Sequence, residues 1–103
     1  YAVPQGSATA AATIPAGSLD ANELGIFDMS GNVWEWCWDK HGDWPTGSVT
    51  NYTGVIGATT TRVCRGGSWS SEPAWCAVAY RGDGTVEPYA HVGNDMGFRV
   101  VRN

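Results

Sequence analysis

Cys37, Cys64, Cys76, His41, His91 and Glu35 are the side chains of this 103-residue chain whose chemistry could reach beyond packing. Three thiols cannot all pair within one chain, and none has a Cys-x-x-Cys or His-adjacent spacing that would hold zinc. Cys37 and Cys64 have apolar and aromatic neighbours and read as small buried thiols in strands. His41 and His91 stand singly in polar loops and read as solvated. A hydrolase needs a nucleophile beside a base, and no motif supplies that pair. Glu35 is the exception. In Asn32-Val33-Trp34-Glu35-Trp36-Cys37-Trp38 alternate residues fall on opposite faces of a strand. Trp34, Trp36 and Trp38 share a face that reads as core, because each such side chain buries roughly 150–250 Å² when covered. Glu35 lies on the other face with Val33 and Cys37, and under cover it needs a cation or several donors.

Short elements must position these groups. Asp28-Met29-Ser30-Gly31-Asn32 is a turn signal ahead of the tryptophan strand. Residues 1–12, small and polar, read as an extended lead-in, and Ala21 to Gly25 as a single helical turn ended by glycine. Residues 39–60 form a long irregular connection with many Gly, Ser and Thr. Thr60 to Arg65 reads as a strand closed by Gly66-Gly67, Ser70 to Ala74 as a loop and Trp75 to Arg81 as a strand. Residues 82–95 form a second polar loop, and Gly97 to Arg102 a terminal strand. With 14 Gly, 6 Trp and only 16% charged residues, the composition suits short strands and tight turns with aromatic burial. A net charge of −4 without a basic stripe argues against nucleic acid. No apolar run approaches the roughly 20 residues of a membrane span. Tyr1-Ala2-Val3-Pro4 lacks the basic start and apolar stretch of a signal peptide, so the chain reads as a fragment or a processed piece.

Five blocks carry a family resemblance. They are Thr13-Ile14-Pro15-Ala16-Gly17-Ser18, Asn22-Glu23-Leu24-Gly25-Ile26-Phe27-Asp28-Met29, Gly31-Asn32-Val33-Trp34-Glu35-Trp36, Arg62-Val63-Cys64-Arg65-Gly66-Gly67-Ser68-Trp69 and Gly97-Phe98-Arg99. In this order, across residues 13–102, they resemble the C-terminal half of the formylglycine-generating-enzyme (sulfatase-modifying factor) family. The resemblance implies an α+β, C-type-lectin-like fold: a small twisted antiparallel sheet, long irregular loops and little helix. Residues 1–103 would be a single domain, the C-terminal part of a longer unit whose N-terminal half is missing, or one that works as an oligomer. It also places Arg62, Arg65 and Arg99 in strands neighbouring Glu35, with Arg99 the expected ion-pair partner.

The family divides into catalysts and binders. The resemblance implies that the catalysts hold copper with two cysteines just after the Gly-Gly-Ser block, positions that fall here on Ser71 and Cys76. Soft thiolates suit Cu(I), and a serine hydroxyl is a poor substitute. Catalysis and a copper cofactor are therefore not expected, and Cys76 reads as a packed thiol. The binders include bacterial and phage proteins diversified by retroelements, whose pattern resembles Arg65-Gly66-Gly67-Ser68-Trp69, a variable loop, Cys76, a segment ending at Arg81, a second variable stretch and Gly97-Phe98-Arg99. The variable-type positions hold Ser70, Ser71, Glu72, Trp75, Tyr80, Gly82, Asp83, Thr85, Tyr89, His91, Asn94 and Asp95. Serines, glycines and a few aromatics are the composition of a paratope. The expected partner is a protein or another macromolecular ligand, with Trp75 and Tyr80 exposed as its anchors. Sugar binding through calcium is disfavoured, because Glu72-Pro73-Ala74 and Glu87-Pro88-Tyr89 lack the second ligand. A structural calcium is implied at the turn, with Asp28 as carboxylate and backbone carbonyls near Gly31 and Val33. Two alternatives compete with ligand binding: an oxidase fragment and a purely structural assembly module. The sequence assigns no compartment, although an upstream leader would favour the cell surface, secretion or a phage particle.

Overall fold

The turn before the tryptophan strand is where the chain ties itself together. A computed structural model describes residues 12–57, 60–83 and 93–101; the lead-in up to residue 11 and the expectations for Thr85, Tyr89, His91 and Arg102 lie outside them. Asp28 and Asn32 take positive φ angles of 55° and 68°, a conformation that Asp and Asn tolerate better than most residues. The Asp28 carboxylate accepts from the N–H groups of Gly17 (2.5 Å) and Leu19 (3.4 Å). The Asn32 amide accepts from the Ile14 N–H (3.0 Å) and donates to the Ile14 carbonyl (3.2 Å). On the other side the Gly31 N–H donates to the Gly66 carbonyl and the Trp69 N–H to the Asn32 carbonyl. One turn thus holds both the 14–19 segment and the Gly-Gly-Ser block.

The strands are β1 (Trp34–Lys40), β2 (Arg62–Arg65), β3 (Gly82–Asp83) and β4 (Met96–Phe98), in the sheet order β3-β2-β1-β4. β1 runs antiparallel to β2, which runs antiparallel to β3. β4 runs parallel to β1, with Gly97 opposite Glu35, so the sheet is mixed rather than wholly antiparallel. Gly97 lets the strands approach: a Cβ there would lie 3.0 Å from Val33 Cγ2.

Three local expectations change. Residues 21–25 form no helical turn, because the Asn22 side chain accepts from the N–H groups of Leu24 (2.9 Å) and Ile26 (3.0 Å). Such local bonds compete with a helix. Trp75 to Arg81 is not a strand either. A 3-10 helix spans Pro73–Cys76 with proline in its first turn, where a missing N–H costs nothing. The carbonyls of Val78 and Tyr80 then bond to Arg65 instead of a ladder neighbour. β4, finally, ends at Phe98.

Trp38 overturns the reading of the tryptophan face as core. It is 81% exposed, while Trp34 and Trp36 are half-buried. Trp36 pairs with Cys64 but Lys40 with Arg62, so residues 37–39 oppose Val63 alone and the ladder is irregular there. Arg62 covers the stranded indole, 4.7 Å from its centre, and donates to the Trp38 carbonyl. The buried hydrophobic residues among those described are Val63 and Cys64 of β2.

Candidate ligand-binding surface

Glu35 meets its expected partner. Arg99 donates from Nε to Oε2 (2.9 Å) and from Nη2 to Oε1 (2.7 Å), a bidentate pair with both side chains half-buried. The hydrogen bond to Glu35 raises the Arg99 pKa. Arg99 also reaches the Asp28 carbonyl (3.3 Å). That contact bears on the calcium reading. Both carboxylate oxygens of Asp28 accept backbone N–H bonds and a guanidinium sits at its carbonyl. The Val33 carbonyl faces the Gly66 backbone, 4.0 Å from where a Cβ would stand. Asp28 thus spends these oxygens on the chain's own donors, and calcium at Asp28, Gly31 and Val33 stays an expectation of the resemblance.

The serines after Gly67 form a closed network. The Ser68 N–H donates to Ser71 Oγ (2.9 Å), and the buried Ser68 hydroxyl lies 3.1 Å from the hydroxyls of both Ser70 and Ser71. Ser71 therefore helps to shape the loop, while Ser70 and Glu72 are exposed beside it. Cys76 is half-buried and packs on the backbone of Gly67. A Cβ on Gly67 would lie 2.5 Å from Cys76 Sγ, and its φ is 71°. Burial pushes the Cys76 thiol up. Cys76 thus lies against Gly67, while Ser71, in the position of the family's other copper ligand, is bonded to Ser68.

Trp75 is 42% exposed. Its ring stacks on Tyr80 at 6.4 Å and 25°, and Tyr80 in turn rests on Trp34 at 5.9 Å. Trp75 is thus exposed as expected, whereas Tyr80, expected at the surface, is half-buried between Trp75 and Trp34. Trp69 Nε1 donates to the Asn94 carbonyl (3.4 Å), tying exposed Asn94 to the first loop. The Asp95 carbonyl accepts from the Trp34 N–H (2.8 Å) at the start of the β1–β4 ladder. Gly82 belongs to β3, where a Cβ would come within 3.3 Å of Cys64 and Trp34, so it serves the sheet. Asp83 closes that strand opposite Val63.

Sequence reasoning missed Trp44. It is 62% exposed, with Arg81 4.6 Å and Arg65 5.9 Å from its ring centre. The signal was there in a lone tryptophan beside proline in a polar loop, but nothing in that loop names its arginine partners. A shallow groove of about 830 Å³ was missed as well. It runs past Ile26, Phe27, Val33 and Phe98 beside the Glu35–Arg99 pair.

Residues 2–103 match the model of the sulfatase-modifying factor enzyme 1-like domain. The chaperone protein LppX of Paenibacillus barcinonensis is 40% identical over 91 residues, covering 88% of this chain and 28% of that protein. A formylglycine-generating enzyme of Streptomyces coelicolor is 33% identical over 99 residues, covering 88% and 29%. Among solved structures, Treponema denticola variable protein 1 superposes with a TM-score of 0.75 at 35% identity, covering 86% of this chain and 31% of that one. The chain spans less than a third of the length of these relatives.

Proposed function

Because the chain belongs to the sulfatase-modifying factor enzyme 1-like domain family, a C-type-lectin-like fold that serves more than one chemistry, we propose that it is a non-catalytic member whose surface around residues 70–75 and 94 binds a macromolecular ligand, with a protein the favoured class. One observation carries this reading. Trp75 is held outward on a two-ring base of Tyr80 and Trp34, while the position that would complete a copper site is a serine bonded into its own loop. A stacked, exposed aromatic in the same loop as exposed Ser70 and Glu72, with exposed Asn94 tied to Trp69 at the start of that loop, suits a binding hot spot. The likeness to a variable protein of Treponema denticola supports it.

Randomising Ser70, Glu72, Trp75 and Asn94 in the full-length protein, and selecting displayed variants against a panel of protein baits, tests it. Folded variants with bait-specific binding are expected. A library that unfolds, or yields no specific binder, overturns the binding reading. Conversion of a substrate cysteine by the copper-supplied protein overturns the non-catalytic one.

A further inference from the structure

We propose that the binding surface continues from Trp75 across Val78 to Trp44, and that there Arg65 and Arg81 receive the carboxylates of an acidic polypeptide segment. The inference extends the reading of the neighbouring loop as a binding surface. Arg65 joins the two regions, since its Nη1 donates to the carbonyls of Val78 (3.1 Å) and Tyr80 (2.8 Å). Arg81 donates to the Gly42 carbonyl (2.9 Å), next to the segment that carries Trp44.

The charge balance is unusual. Both guanidiniums are half-buried, both lie on one indole, and neither has a carboxylate partner among the described residues. Their bonds go to neutral carbonyls, so each keeps a full positive charge and unspent donors of its fork. Glu35, the ladder partner of Arg65, is taken by Arg99. The Trp44 ring offsets part of the cost of holding two like charges together, and an arriving carboxylate would offset more through charge-assisted, bidentate bonds.

The surroundings select the ligand. Val78 is 87% and Trp44 62% exposed, an apolar and aromatic floor that suits side-chain stems and peptide planes. Asp43 directly precedes Trp44 in a chain of net charge −4, which disfavours a densely charged polyanion such as nucleic acid. Isolated carboxylates on a polypeptide satisfy both conditions.

The experiment titrates the full-length protein with a short glutamate-rich peptide, its lysine-rich counterpart and a single-stranded oligonucleotide, following the Trp44 indole resonance. The acidic peptide alone should shift it, with affinity falling as salt rises. Arg81→Gln should weaken binding about tenfold or more. Arg81→Lys, which keeps the charge and an anchor for Gly42, should restore part of it. Equal binding of both peptides, tighter binding of the oligonucleotide, or an acidic-peptide affinity unchanged in Arg81→Gln overturns the proposal. Specific binders from the randomised loop without acidic-peptide binding would remove this inference and leave the proposed function standing; the reverse result would do the opposite.

Discussion

Glu35 stands directly across the ladder from Arg65, yet it gives both carboxylate oxygens to Arg99 on the opposite flank of β1. Arg99 follows β4, so the pair ties the end of the parallel strand to the centre of the sheet. Arg65 is thereby released to hold the carbonyls of Val78 and Tyr80.

The ion pair should be measurable but modest, because both side chains keep solvent contact. A double-mutant cycle of Glu35→Gln and Arg99→Gln by urea unfolding should give a coupling of about 1 kcal/mol. A coupling indistinguishable from zero would show that the bidentate geometry adds nothing to holding β4.

Trp75 and Tyr80 should separate stability from binding. Trp75→Ala should leave the melting temperature nearly unchanged and cost a bound ligand about 1–2 kcal/mol or more. Tyr80→Ala removes the ring between Trp75 and Trp34 and should cost about 1–3 kcal/mol of stability as well. Equal melting temperatures for the two variants would contradict the layered arrangement.

Gly67 tolerates no side chain. An alanine would need a φ of 71° and would bring its Cβ to 2.5 Å from Cys76 Sγ. Gly67→Ala should destabilise by about 2 kcal/mol or more, and Cys76→Ala in the same chain should recover the steric part and leave the backbone part. Full stability in the single variant would mean that the Gly67–Cys76 contact is looser than the structure places it.

Stability should fall in alkali. Burial, with a smaller contribution from Cys37, pushes the Cys64 thiol from an ordinary 9.0 up to about 12. The folded chain therefore keeps a proton that the unfolded chain releases above pH 9. Stability is whole below that value and declines as the pH rises towards 12, with a slope approaching 1.4 kcal/mol per unit from this one group. Cys37 and Cys76, also raised by burial, act in the same direction. Urea midpoints measured across that window should fall, and less steeply in Cys64→Ala.

Reduced protein should show no tight Cu(I) site, because Cys76 has no second thiolate in the family's motif and Ser71 is bonded to Ser68. Ser71→Cys should raise Cu(I) affinity, as read by competition with a colorimetric chelator, only if the new thiol turns towards Cys76. Tight binding by the unaltered chain would reopen the oxidase reading.

What could be read in advance followed from groups whose needs are local. Asp28, Gly31 and Asn32 announced a turn by their own conformational tolerance, Arg62 to Arg65 a strand by its flanking glycines, and the ordered blocks the family. Glu35 announced a cation through the cost of covering a carboxylate. The rest depended on distant partners. Trp38 is exposed where residues 37–39 of β1 oppose Val63 alone, an irregularity that alternation within β1 alone cannot reveal. Residues 75–81 leave the strand conformation because Pro73 starts a tight turn and Arg65 captures their carbonyls from elsewhere in the chain. Trp44 became part of the candidate site only once Arg65 and Arg81 were brought over it.

β1 has β2 on one side and β4 on the other, so everything the chain says between Arg65 and Met96 starts and ends on the same strand. Apart from β3, which pairs with β2 and belongs to the frame, that stretch is a cassette clipped between the two strands. Lengthening such a closed loop costs only about 0.6 kcal/mol for each doubling of its length. Rewritten sequence at exposed Ser70, Glu72 and Asn94 should be accepted by the frame more readily than single changes at Gly67, Gly82 or Gly97, where the clip itself is cut.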